Sequence, residues 1–252
     1  MNDISAMKKL NKPEEPNPCP VCGRDRGYYY SLRTLEPIAH ERCFACEDDK
    51  RHALEVRQAE IDRARRLEDI NKNLNRYLLD GNVPEKYITC NIDIPECAEQ
   101  AVIQAISGRS VYFHGGVGVG KTTIAVHISR ERILRQLIPC HGLCFRSTES
   151  ICSFVRNGID TGEHDKRLEA FFKYELLVMD DLMAERDTKN NLNIIKTIIY
   201  ERYTNRKQTI ITSNYTPDEA LKYYGKRVGS RFSTMISCRV SGADRRKNEE
   251  IW

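Results

Sequence analysis

The chain has 252 residues, 40% of them hydrophobic, and its 40 Lys+Arg against 36 Asp+Glu leave a formal net charge of +4. This length holds one substantial domain plus a smaller module, and so mild a charge excludes a polycation that would bind nucleic acid through charge alone. The chain contains no apolar run of the roughly 18 residues that a membrane helix needs, and the polar start MNDISAMKKLNKPEEPNP lacks a signal-peptide core, so a cytoplasmic protein is expected.

Residues 1–18, with Pro13, Pro16 and Pro18, read as a disordered lead-in. Residues 19–47 read as a zinc-binding module. Cys19-Pro-Val-Cys22 and Cys43-Phe-Ala-Cys46 are two C-x-x-C pairs separated by 20 residues, the spacing of a zinc ribbon. In a reducing compartment such thiols are metal ligands more often than disulfides. His40 is an alternative ligand. A ribbon this small has too little core to fold alone, so the zinc would be structural. Tyr28, Tyr29, Tyr30, Arg24, Arg26 and Arg33 suit either a protein or a nucleic-acid partner. The other cysteines, Cys90, Cys97, Cys140, Cys144, Cys152 and Cys238, read as small buried apolar residues.

From Asp48 to Asp80 there is no Gly or Pro, and Leu54, Ile61, Leu67, Ile70, Leu74 and Leu78 recur at helical spacing. Residues 48–82 are therefore expected to form a charged helical linker, either a solvated spacer or a docking element. Beyond Pro84 short apolar runs alternate with amphipathic segments. SVYFHG, HGLCFRS, ELLVMDD, QTIITSN and ISCRVSG are strand candidates, and helices are expected near 122–136, 149–156, 166–173, 190–205 and 226–234. Strands alternating with helices predict an α/β fold, a parallel sheet covered on both faces, over 83–252.

HGGVGVGKTT follows a strand and opens a helix, the context a phosphate-binding loop requires. Gly115, Gly116, Val117, Gly118, Val119 and Gly120 would turn backbone N–H groups toward phosphates at a helix N-terminus, followed by Thr123. Lys121 would meet the terminal phosphates of ATP, and Thr122 would bind Mg²⁺. LLVMDDL ends an apolar strand in two acids: Asp180 fits the second Mg²⁺ position and Asp181 the residue that polarises the attacking water. Asn214, at the end of TIITSN, could orient that water or touch the γ-phosphate.

GKRVGSRF places Arg227 and Arg231 four residues apart, on one helical face. The succession of phosphate loop, DD strand, TSN strand and SRF resembles the AAA+ ATPases, and YERYTNRKQTIITSN with GKRVGSRF resembles the replicative helicase loaders of the DnaC and DnaI type. IstB-type transposition helpers, which bind DNA and a transposase, share much of this text and remain the alternative. The resemblance covers about residues 83–246 and implies a P-loop AAA+ core with a short or absent lid. It implies ATP hydrolysis coupled to loading a hexameric helicase onto single-stranded DNA. Arg231 would be a finger acting on a neighbouring copy, with Arg227 beside it, and the zinc module would contact the helicase. It also points to DNA contacts from Phe154, Arg156, Phe171 and Phe172. Met183 departs from the family pattern, standing where Gly commonly follows DDL.

Overall fold

The structure is a computed structural model that describes residues 18–19, 21–24, 28–30, 37–39, 44–90, 92–185 and 188–245. Cys43, His40, Arg26, Arg33 and Arg246 lie outside the described residues. The chain divides into two compact units, one reaching Leu67 and one beginning at Glu68.

In the first unit β1 (Tyr28–Tyr30) pairs antiparallel with β2 (Pro37–Ala39), Tyr28 opposite Ala39. Helix α1 (Phe44–Asp80) starts here and runs for 37 residues. Its lack of Gly and Pro lets the backbone ladder continue without interruption. Leu54, Val56 and Ile61 on this stretch are exposed.

The second unit contains, in order, the end of α1, α2 (Glu85–Ile88), α3 (Glu96–Ile106), β3 (Val111–His114), α4 (Lys121–Leu134), β4 (Leu143–Ser147), α5 (Thr148–Arg156) and α6 (His164–Lys173). It continues with β5 (Leu176–Leu182), α7 (Lys189–Thr204), β6 (Gln208–Ser213), α8 (Pro217–Tyr224), α9 (Lys226–Phe232) and β7 (Ile236–Arg239). The strands form one parallel sheet in the order β4-β5-β6-β3-β7. Side chains alternate across it, as period-2 geometry demands. Val111, Phe113, Leu143, Phe145, Val178 and Ile210 pack with α1, α3 and α4 on one face. On the other, Tyr112, Cys144, Leu177, Met179 and Ile211 pack with α5, α7, α8 and α9. Burial on both faces explains why the strand sequences read as nearly continuous apolar runs.

The core unit reaches back into the segment read as a linker. Ile70, Leu74 and Leu78 are buried in the same cluster as Val83, Ile88, Leu143 and Phe145. The Phe145 N–H donates to the Gly81 carbonyl at 2.7 Å, so the turn after α1 pairs with the outer edge of β4. A Cβ on Gly81 would stand 2.8 Å from Leu143 Cδ2, which explains the glycine. The core unit therefore begins at Glu68, ahead of the boundary expected at residue 83.

Three helices went unread in the sequence. α2 spans only 4 residues, and α3 has a short Ala-rich face. α8 did carry a signal: Thr216 and Glu219 form a capping box, with Pro217 at the first turn.

Candidate functional site

β3 ends at His114 and the chain turns through six residues before α4 starts at Lys121. The turn requires glycine at several points. Gly115, Gly118 and Gly120 have φ of 149°, 77° and 95°. A Cβ on Gly115 would also meet the Val240 carbonyl at 2.1 Å, and one on Gly118 would strike Asp244 Oδ1 at 1.7 Å. The segment after β7 thus presses on the loop, and the Arg245 N–H donates to the Gly118 carbonyl at 3.0 Å. Lys121, 6% exposed, donates from Nζ to the carbonyls of Gly115 (3.0 Å) and Gly116 (2.6 Å) and to Asn214 Oδ1 (2.8 Å). Thr123 Oγ1 closes the first helical turn on the Gly120 carbonyl at 2.6 Å.

β5 delivers the two acids through an irregularity. Met179 pairs with Ile211 but Leu182 pairs with Ser213, so one extra residue is accommodated on β5 opposite Thr212. Such a bulge re-aims side chains at a strand end. Asp180 turns inward and is buried, and Asp181 turns out to solvent. Asp180 Oδ1 accepts from Thr122 Oγ1 at 3.0 Å and from Thr212 Oγ1 at 2.6 Å. Burial raises the Asp180 carboxyl above its ordinary pKa; the bond from Thr212 opposes this, Asp181 adds to it, and the bond from Thr122 and the Lys121 charge oppose it. Asp181 and Met183 have φ of 52° and 73°. That left-handed conformation costs a residue with a side chain about 1–2 kcal/mol, a cost that glycine would avoid. The surroundings hold the turn. The Asp181 N–H donates to Thr212 Oγ1 at 3.0 Å, and the Asp181 carbonyl accepts from Thr148 Oγ1 at 2.9 Å.

Two hydrogen-bonded pairs, Lys121 with Asn214 and Thr122 with Asp180, thus stand at the C-terminal ends of the adjacent strands β3, β5 and β6, where parallel α/β sheets bind ligands. Asp181 stands beside them. The sequence reading missed Thr212 and Thr148. Thr212 lies within the quoted TIITSN and could have been found as a polar residue one register before the strand end.

Arg227 and Arg231 lie on α9, directed at α7 of the same chain. Their guanidinium carbons are 4.8 Å and 5.0 Å from the centre of the Tyr200 ring, and Arg231 also lies 5.4 Å from that of Tyr203. Arg231 Nη1 also donates to the Arg227 carbonyl. Lys196, Glu201 and Lys226 line, with Arg227, a cavity of about 450 Å³ beside them. Among the residues expected to touch DNA, Phe171 is fully buried against Phe154 and belongs to the core. Phe154 is flanked by Arg146 and Arg167 at 5.1 Å and 5.2 Å from its ring centre. Phe172 is partly buried in the same cluster, and Arg156 donates to Ser153 Oγ.

In the first unit the sulfur atoms of Cys19, Cys22 and Cys46 lie within 4.8 Å of one another, Cys19 and Cys46 at 3.8 Å. A tight turn shapes the first pair: the Gly23 N–H donates to the Cys19 carbonyl at 2.9 Å, and Gly23 has φ of 73°. Thiolates about 2.3 Å from a tetrahedral zinc stand about 3.8 Å apart, so this donor set fits zinc.

With this geometry in place, the profile of the IstB-like ATP binding protein family matches residues 29–228. The chain belongs to that family. Similar proteins supply context for the fold. An ATP-binding protein in an insertion sequence of Mycobacterium tuberculosis is 29% identical over 122 residues, 47% of this chain and 45% of that protein. The replication initiator DnaA of Enterococcus faecalis is 25% identical over 134 residues, 53% of this chain. The chain spans only 29% of that initiator's length. The crystal structure of the DnaC helicase loader superposes with a TM-score of 0.55 at 24% identity, covering 63% of this chain and 100% of that one. The second unit has the P-loop AAA+ fold, and the family is one of ATP-binding proteins.

Proposed function

We propose that the chain is an ATPase that loads a hexameric replicative helicase onto single-stranded DNA. The observation that carries the nucleotide part is the junction of Lys121, Thr122, Asp180 and Asn214 at three adjacent strand ends. The loop N–H groups and Lys121 bind the phosphates of ATP, with Gly115, Gly116, Val117, Gly118, Val119, Gly120, Thr122 and Thr123 forming the cradle. Thr122 and Asp180 hold Mg²⁺, which when bound neutralises charge on the β- and γ-phosphates. Asp181, exposed beside them, orients and deprotonates the attacking water. Asn214 positions Lys121 and contacts the γ-phosphate. Arg231 reaches the nucleotide of a neighbouring copy, assisted by Arg227, once released from the Tyr200 ring. In the amino-terminal module Cys19, Cys22, Cys43 and Cys46 hold a structural zinc, and with α1 this module grips the helicase in the cytoplasm.

The loader role rests on the similarity to DnaC and on the TSN and SRF text. A second reading, a transposition helper that binds DNA and a transposase, is favoured by the family match and by the insertion-sequence relative. Lys121→Ala should lower affinity for a fluorescent ATP analogue more than tenfold and abolish turnover, since the loop loses the lysine that would pair with phosphate; unchanged turnover overturns the ATPase reading. Capture of the replicative helicase of the same replicon supports the loader, and capture of a transposase instead supports the helper.

A further inference from the structure

Glu185 is a buried acid for which nucleotide chemistry has no direct use. It is 5% exposed, and its carboxyl gathers donors from three elements. Oε2 accepts from Thr148 Oγ1 at 2.8 Å and from the Met183 N–H at 3.0 Å, and Oε1 accepts a short bond from the Tyr224 hydroxyl. Thr148 opens α5, Met183 belongs to the turn after Asp181, and Tyr224 ends α8 one residue before Gly225. From Gly225 the chain enters α9, which carries Arg227 and Arg231.

Two features make the acid more than a packing element. The Thr148 hydroxyl that meets Glu185 is the same one that lies 2.9 Å from the Asp181 carbonyl, so one proton is shared between the two. The turn itself holds two left-handed residues, Asp181 and Met183, and such a backbone persists only where neighbours over-determine it. Thr212 supports it from β6 and Glu185 from the opposite side. Among the described residues, Glu185 is bonded both to this turn and to the corner from which the arginine helix departs.

We propose that Glu185 is a positioning residue that holds Asp181 in its left-handed turn and ties that turn, through Tyr224, to the α8–α9 corner. The setting of Asp181 and the setting of the arginine helix then change together. Neither Glu185 nor Tyr224 is hydrogen-bonded to Thr122, Asp180 or Asn214; Glu185 bonds Thr148, Met183 and Tyr224. The proposal rests on the ATPase reading for its catalytic consequence, though its structural half does not.

The test uses the full chain carrying Glu185→Gln or Tyr224→Phe, with Val155→Ala as a core control from the same cluster that bonds to neither. The amide keeps one acceptor oxygen, so at least one of the three donors loses its partner. For Glu185→Gln, affinity for a fluorescent ATP analogue should stay within about twofold while turnover falls roughly tenfold or more, the pattern of a lost transition-state contribution. Hydrogen exchange at the amides of 181–184 should quicken roughly tenfold. Tyr224→Phe should lower turnover less and quicken exchange in α9. Val155→Ala, at a comparable loss in Tm, should change neither turnover nor exchange at the turn. Unchanged turnover and exchange in both network variants, or an equal turnover loss in Val155→Ala, overturns the proposal. If Glu185→Gln fails to fold, Tyr224→Phe decides alone. A wild-type chain without turnover would refute the ATPase reading, while the exchange arm would still decide whether Glu185 holds the turn.

Discussion

Two buried arginine and lysine side chains show how environment, more than residue type, separates a site from a scaffold. Lys121 is aimed at the loop carbonyls and Asn214, in a place that phosphate oxygens would share. Arg202, fully buried, has no such opening. Its Nε donates to Thr209 Oγ1 at 3.0 Å, Nη1 to the carbonyls of Phe171 and Tyr174 at 2.7 Å and 2.9 Å, and Nη2 to the Gln208 carbonyl at 2.5 Å. Burial lowers its pKa to about 10, which still leaves it charged at neutral pH. One planar fork therefore ties the ends of α6 and α7 to the start of β6. A compact ammonium cannot reach four acceptors spread in this way. Arg202→Lys should cost about 2–3 kcal/mol through the carbonyls left without donors, read as a lower urea midpoint, with affinity for an ATP analogue unchanged in the folded fraction. A midpoint within error of the wild type would show that the fork is dispensable.

At the scale of elements, α1 is the instructive case. Its sequence is continuous and helical, so nothing in its periodicity marks where solvent gives way to core. Leu54, Val56 and Ile61 are exposed while Ile70, Leu74 and Leu78 are buried, and the difference comes from β4, whose edge accepts the end of the helix. A fragment of residues 83–252 should accordingly be less stable than one of 68–252 by on the order of 5 kcal/mol, the scale of deleting two or three buried aliphatic side chains. Urea unfolding of the two fragments measures this directly, and equal midpoints would place the domain start at residue 83. The β5 bulge makes the same point on a smaller scale. LLVMDDL announces a strand ending in acids, but which acid is buried against Thr122 and which faces solvent depends on one extra residue opposite Thr212.

For the molecule as a whole, two units joined through one long helix imply separable responses. If the amino-terminal thiols hold a metal, the purified chain should carry about one zinc per molecule. A strong chelator should then melt the first unit while leaving nucleotide-analogue binding by the second unchanged, because both buried hydrophobic clusters of the described residues lie in the second unit. Elemental analysis that finds no zinc, or a Cys19→Ser, Cys22→Ser double variant that retains it, would dismiss the assignment. Among the described residues no helix is long and apolar enough to cross a membrane.

The sequence by itself determined the parallel α/β plan and the order of its strands along the chain. It also marked the glycine-rich loop after β3 and the acids and asparagine that could meet it. Each of these is a local signal: apolar runs with β-branched residues, glycines before Lys-Thr, polar residues at strand ends. Only the tertiary structure decided which of those residues meet. The strand order β4-β5-β6-β3-β7 places β6 between β3 and β5, so Asn214 reaches Lys121 and Thr212 reaches Asp180, across separations of 93 and 32 residues. It also decided that Phe171 is core, that Arg227 and Arg231 stack on Tyr200, and that Glu185 links Thr148, Met183 and Tyr224. Such contacts are legible only in three dimensions, because burial and hydrogen bonding depend on neighbours that no spacing along one chain reveals.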